Sequence, residues 1–220
     1  MPKTSPERSR GRPAKLSRDQ ILSCALKMIE RAPGQKITMT GVAKALNTAP
    51  MSLYTHVQHR DDLMDGIAER VMGQLKLELD TTASWESQVR DWLNRCYTHL
   101  SAYPQIVALL PQSDRIPPSW LRVHAPLVAV LKREGLHGKT LANASQWVAH
   151  QLIGALVLGF ARSRSAGPGE EVTSVLEHLD ATERALFEEI APHVLPDYDL
   201  FPYTVEQVIN ALRTTLASPS

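Results

Sequence analysis

Enzymatic and metal chemistry find little to work with in this sequence. His56-x-x-His59 beside Asp61 and Asp62 is the one cluster of metal-like composition. It lacks the i,i+4 histidine pair with which a helix presents two imidazoles to zinc. No G-x-S-x-G turn supplies a nucleophile, and no cofactor motif is present. The residue types between Pro50 and Val57 suit a different partner. Leu53 and Val57 share one face of a short helix, and Met51, Ser52, Tyr54, Thr55 and His56 fall on the other. Such a helix buries one side and offers hydroxyls, a phenol, an imidazole and an apolar tip to phosphates and base edges. Double-stranded DNA is the partner this pattern fits.

The neighbouring residues read as the elements that would hold that helix. In Ile37–Leu63, Val42, Ala43 and Leu46 space as the apolar face of a preceding short helix, with Thr38 or Thr40 as its N-cap. Asn47 tolerates the left-handed conformation that ends a helix, and Pro50 suits a first helical turn. Two short helices around a tight turn make a helix-turn-helix, whose second helix enters the major groove. Upstream, Ser17-Arg18-Asp19-Gln20 forms a capping box for a helix whose apolar face is Ile21, Leu22, Ala25, Leu26, Met28 and Ile29. Downstream, Asp61 and Asp62 favour a helix N-terminus, and Leu63, Ile67, Val71, Leu75 and Leu79 carry that helix to about Asp80.

The chain has 220 residues and a net charge of +1. The charge is unevenly placed: residues 1–60 carry 11 Lys/Arg against 3 Asp/Glu, or +8, and residues 61–220 carry 13 against 20, or −7. A basic head on an acidic body is expected where one end meets phosphates. Residues 1–16 are rich in Pro, Ser and Arg and read as a disordered basic arm. Arg10-Gly11-Arg12-Pro13 in that arm suits a narrow A·T-rich minor groove.

Beyond Asp80 the periodicity predicts helices at about 85–103, 105–110, 118–134, 139–164, 181–194 and 204–217, with Pro and Gly between them. The expected fold class is all-α: a head at 17–62 and a helical body at 63–220. The 139–164 helix is apolar on nearly all sides after Trp147, so it should be buried. With the 204–217 helix it would form half of a dimeric four-helix bundle. The longest apolar run, Leu152–Ala161, is ten residues and too short for a bilayer. With no apolar N-terminal stretch, and Cys24 and Cys96 outside any ligand spacing, a cytoplasmic protein without membrane contact is expected.

Three segments together resemble the TetR/AcrR transcriptional regulators: LSRDQILSCALKMIE, ITMTGVAKAL and PMSLYTHVQHRDDLMDGI. The motif-level resemblance covers residues 16–68, and the remainder resembles the family only as an arrangement of helices. It implies a homodimer, a three-helix DNA-binding head and a body that binds a small effector. It also implies roles for particular residues: Thr38 on a phosphate, Thr40 near a base, Pro50 and Met51 at base edges, and Tyr54 on a thymine methyl or phosphate. Ser52, Thr55, His56 and Arg60 would hold phosphates, and the basic residues Arg10, Arg12, Lys15 and Lys44 complete the DNA-facing set. The chain departs from the pattern at Asn47, where glycine is usual, at Ala49, where a capping Ser or Thr is usual, and at Thr40, where arginine is frequent.

A body of this kind implies a ligand cavity. Its candidate linings are Trp92, Tyr97, Tyr103, Trp120, His124, Trp147, His150 and Gln151, apolar walls with a few polar groups. No Asp or Glu lies between Glu134 and Glu170, so a metal-chelated effector held by a carboxylate of the central helix is not expected. An uncharged or aromatic ligand is, or an anion near Arg162 and Arg164. Two other functions compete with a ligand-relieved repressor acting on a palindromic operator. A nonspecific architectural DNA binder would show steep salt dependence without sequence preference. An all-helical enzyme with a basic arm would need a site that the sequence does not display.

Overall fold

The computed structural model describes residues 16–33, 35–108, 118–165, 178–188 and 199–217, with backbone only for 161–165. The basic arm, with Arg10, Arg12 and Lys15, lies outside them, as do the side chains of Arg162 and Arg164. The described residues form helices and no strands.

Helix α1 (Arg18–Arg31) opens on the expected capping box, in which Ser17 Oγ accepts from the Gln20 amide and the Gln20 side chain accepts from the Ser17 amide. Its face of Ile21, Leu22, Ala25, Leu26 and Ile29 is buried, and α1 packs against α2 (Met39–Ala45) and α4 (Arg60–Gln74), between which α3 (Pro50–Tyr54) follows in the chain. Helices α1 and α4 approach closely: a Cβ at Gly66 would stand 2.7 Å from a Leu22 methyl. Arg70 of α4 also reaches back to Asp19 and to the Ser23 hydroxyl of α1.

Helix α4 stops at Gln74 rather than near Asp80. In 75–80 the half-buried Leu75, Leu77 and Leu79 alternate with exposed Lys76, Glu78 and Asp80. That period of two is the pattern of an extended chain with one face against the core. The i,i+4 series that ran through Leu75 and Leu79 passed over the equally apolar Leu77. Asp80 Oδ1 then accepts from the Thr82 amide at 2.9 Å, turning the chain into the next helix.

The body consists of α5 (Trp85–Ser101), α6 (Pro104–Val107), α7 (Pro118–Arg133), α8 (Gly138–Ser165), α9 (Ala181–Glu188) and α10 (Phe201–Ala217). Pro104 ends α5 early, because the residue before a proline avoids helical backbone, so Tyr103 caps α6 instead of extending α5. Buried residues of α5 (Val89, Trp92, Leu93, Cys96, Leu100), α7 (Val123, Leu127, Leu131), α8 (Val148, Leu152, Leu156) and α10 (Val205, Ile209, Leu212) share one core with the head. Helix α8 packs against α5, α6, α7 and α10, yet it is not buried on all sides. Trp147, Val157 and Leu158 are exposed, Leu158 by 61%, because α8's neighbours in the chain cover only one of its faces.

Candidate nucleic-acid interface

The turn between α2 and α3 is built from backbone hydrogen bonds. The Asn47 amide donates to Lys44 O at 3.1 Å and the Thr48 amide to Ala43 O at 3.0 Å, the doubled closure of a Schellman motif. That closure needs a left-handed residue after the helix, and Asn47 supplies it at φ 51°. Pro50 then starts α3 at a position where a missing amide hydrogen costs nothing. No side chain caps α3: Ala49 has cap-like backbone but no acceptor, and Thr48 does not replace it.

Leu53 and Val57 are fully buried, which fixes the rotation of α3. Met51 is therefore 74% exposed and Tyr54 45% exposed, with Thr55 beside them and Ser52 and His56 half-buried. Thr38, Thr40, Lys44 and Pro50 are also exposed. Thr38 caps α2 by accepting from the Gly41 amide at 3.0 Å. Accepting leaves its hydroxyl hydrogen for an outside acceptor, so one residue can both cap and contact. Thr55 differs, because its hydroxyl donates to Ser52 O at 2.8 Å and has no second hydrogen for a phosphate. Arg60 uses Nε on Ile37 O at 3.3 Å, tying the start of α4 to the entry of α2, and keeps a partly exposed side chain.

Arg18 does more than sit in the capping box: it also holds this interface. Arg18 of α1 forms a bidentate pair with Asp62, at 2.6 and 3.0 Å, and donates to His56 O at 3.1 Å. Asp62 also accepts from the Gln58 amide at 2.8 Å. The Arg18 hydrogen bonds hold the Asp62 carboxyl below the usual carboxylate range, and the Gln58 amide adds to the effect. His59 caps α4 by accepting at Nδ1 from the Asp62 amide. His56 and His59 are thus placed by the fold, and among the described residues no group of three His, Cys, Asp or Glu is arranged to hold a metal.

In the body the eight aromatic and polar candidates do not converge. Trp92, Trp120 and His124 form one cluster, with His124 5.8 Å from each indole by ring centroids and edge-on to Trp92. The Trp92 indole donates to Val123 O at 2.8 Å. His124 Nδ1 is buried without a hydrogen-bond partner, and burial pushes the imidazole pKa down, opposed by the Ser145 carbonyl. Tyr97 stacks on Phe201 at 3.7 Å, away from that cluster. Tyr103 lies at the seam with the head, its hydroxyl 3.3 Å from both Glu30 and Gln74. Trp147 and His150 are exposed, and Gln151 is half-buried. Helical spacing could not separate the inner from the outer face of α8, because that helix is apolar on both.

No protein-family model matches the chain. It is 25% identical over 177 residues to a helix-turn-helix transcriptional regulator of Saccharopolyspora erythraea, covering 80% of this chain and 74% of the relative. A similar regulator of Mycobacterium tuberculosis is 27% identical over 183 residues, 79% of this chain and 78% of its own. Among solved structures, the TetR-family protein ActR of Streptomyces coelicolor in complex with actinorhodin superposes with a TM-score of 0.77 at 20% identity, over 93% of this chain and all of that one. The chain has the TetR-family fold, and along most of its length it is similar to bacterial helix-turn-helix transcriptional regulators.

Proposed function

We propose that this protein is a sequence-specific DNA-binding transcriptional regulator, a homodimer whose grip on a palindromic operator is relieved by a small molecule. The observation that carries the reading is the outer face of α3. Leu53 and Val57 lock the helix while Met51 and Tyr54 project into solvent beside Thr38, Thr40 and Lys44. Large side chains fixed in rotation and left uncovered suit base-edge contacts, and the hydroxyls and lysine around them suit phosphates. The basic arm would add a minor-groove contact. Regulation rather than catalysis accords with the similar proteins, and no described helix is long and apolar enough to cross a membrane, in keeping with a cytoplasmic location.

Dimerisation is argued from α8 and α10. Trp147, Gly154 and Leu158 recur at helical spacing on the uncovered face of α8, with Val157 beside them, and Tyr203 of α10 is also exposed. Two copies joined through these helices would bury that face and set two α3 helices against successive major grooves. Trp147 and His150 then belong to the subunit contact rather than to a pocket. The effector would enter beside Trp92, Trp120 and His124, where two indoles and an unpartnered imidazole nitrogen suit a neutral aromatic molecule with one polar group.

Selection of bound oligonucleotides from a random pool at near-physiological salt tests the reading. Recovery of a palindrome, with binding lost by at least tenfold in Tyr54→Ala, is the expected result. Binding without any recovered motif would favour an architectural DNA-binding protein.

A further inference from the structure

The chain has six methionines, and none lies beyond Met72. Met1 is outside the described residues. Of the other five, Met39, Met64 and Met72 are buried in the head, Met28 is half-buried, and Met51 is 74% exposed. Met51 therefore carries the one fully accessible thioether among the described residues. It stands on the outer face of α3 with Tyr54, because Leu53 and Val57 hold the opposite face in the core. The other oxidisable sulfurs are less open to attack. Cys96 is buried and Cys24 half-buried. Burial pushes both thiols up, against Lys27 and Arg31 in the case of Cys24, which keeps them from the reactive thiolate form.

Oxidation at Met51 would change the DNA-reading surface and leave the core alone. A thioether is apolar and only a weak acceptor, so it can lie on a thymine methyl or beside the acceptor atoms of the major groove. A sulfoxide is polar and chiral. Its oxygen faces acceptors unfavourably, and against a methyl it gives up water without gaining a partner.

We propose that Met51 is an oxidative modification site: hypochlorous acid converts its thioether to the sulfoxide, and the modified α3 no longer holds the operator. The inference rests on the sequence-specific regulator reading. In the reaction the sulfur loses two electrons and gains the oxygen, while the chlorine is reduced and leaves as chloride with a proton. Methionine sulfoxide reductases, one for each sulfoxide epimer, reverse it. Bound DNA covers Met51, so the oxidant acts on the DNA-free protein and keeps it off the operator. Because Met51 adds nothing to the core, the head stays folded through the change.

The test treats full-length protein with limiting hypochlorous acid and maps the products by peptide mass spectrometry. Affinity for the duplex recovered by selection is measured on the same samples. Met51 sulfoxide should form ahead of sulfoxide at Met28, Met39, Met64 and Met72. Affinity should fall at least about tenfold as it accumulates, with the thermal midpoint unchanged. Dithiothreitol alone leaves the loss in place, whereas the two reductases restore binding. Duplex present during treatment protects Met51. Met51→Leu, compared with its own starting affinity, keeps that affinity through the same dose. Where Met51→Leu binds too weakly to measure, restoration of the wild type by the reductases decides. Unchanged affinity once Met51 is oxidised overturns the proposal. So does a loss that tracks another methionine, that dithiothreitol alone reverses, or that Met51→Leu shares in full. A wild type that selects no duplex before any treatment overturns the regulator reading itself, and the role of Met51 with it, even where its sulfoxide forms first.

Discussion

His124 shows what a single side chain imposes on this body. Its Nδ1 is buried without a partner, and burial holds its pKa below the ordinary imidazole value of 6.5. The unfolded chain therefore takes up the proton first as pH falls, and the native state loses stability from about pH 6.5 downward. Thermal unfolding followed between pH 7.5 and 5 should show this loss in the wild type and less of it in His124→Gln. An equal loss in both would remove His124 from the account. Single residues of the head were well marked in the sequence, because their signals are local. Ser17 and Gln20 lie three apart, Thr38 caps the helix it precedes, and Asn47 and Pro50 declare their backbone preferences by type. The pairing of Arg18 with Asp62 was not marked, since 44 residues separate partners whose meeting depends on the fold.

At the scale of elements, α3 is the least self-sufficient helix of the head. It has five residues, lacks a side-chain cap and relies on Leu53 for its place. Ala49 already has extended backbone, φ −77° and ψ 143°, so a hydroxyl there could accept from the first turn without rearrangement. Ala49→Ser should stabilise the protein by about 1 kcal/mol. For a chain of this size that raises Tm by about 2–4 °C, measured by calorimetry; no change would mean that the serine prefers another partner. Helix positions were legible from apolar spacing to within a few residues. The end of α4 was not, because Leu75 and Leu79 satisfy a helical period while Leu75, Leu77 and Leu79 satisfy an extended one. Only burial against the core decides between the two.

For the whole molecule, the proposed subunit contact makes the clearest demand. Leu158→Glu places a charge at the centre of the uncovered α8 face, and a charge left unpaired in a closed interface costs several kcal/mol. Each 1.4 kcal/mol is a factor of ten in association. Sedimentation at micromolar concentration should give a dimer for the wild type and a monomer for Leu158→Glu, with operator affinity lost together with the dimer. A wild-type monomer would place the contact elsewhere or nowhere. The sequence marked α8 as a helix needing cover on every side; a single chain cannot reveal that a second copy would supply part of it.

Helix α4 has a further consequence for how such proteins can be recombined. Its residues pack both on α1 and on α7, with Gly66 admitting Leu22 on one side and Glu69 accepting from Ser119 on the other. Grafting the head of a relative onto this body therefore replaces one partner of a fitted pair wherever the join is made. A splice at Asp62 separates α1 from the glycine that receives it, and a splice after Gln74 separates Glu69 from Ser119. A functional chimaera has to carry both matches across the junction. DNA-reading specificity in this chain is more readily exchanged by substitutions on the outer face of α3 than by transplanting the head whole.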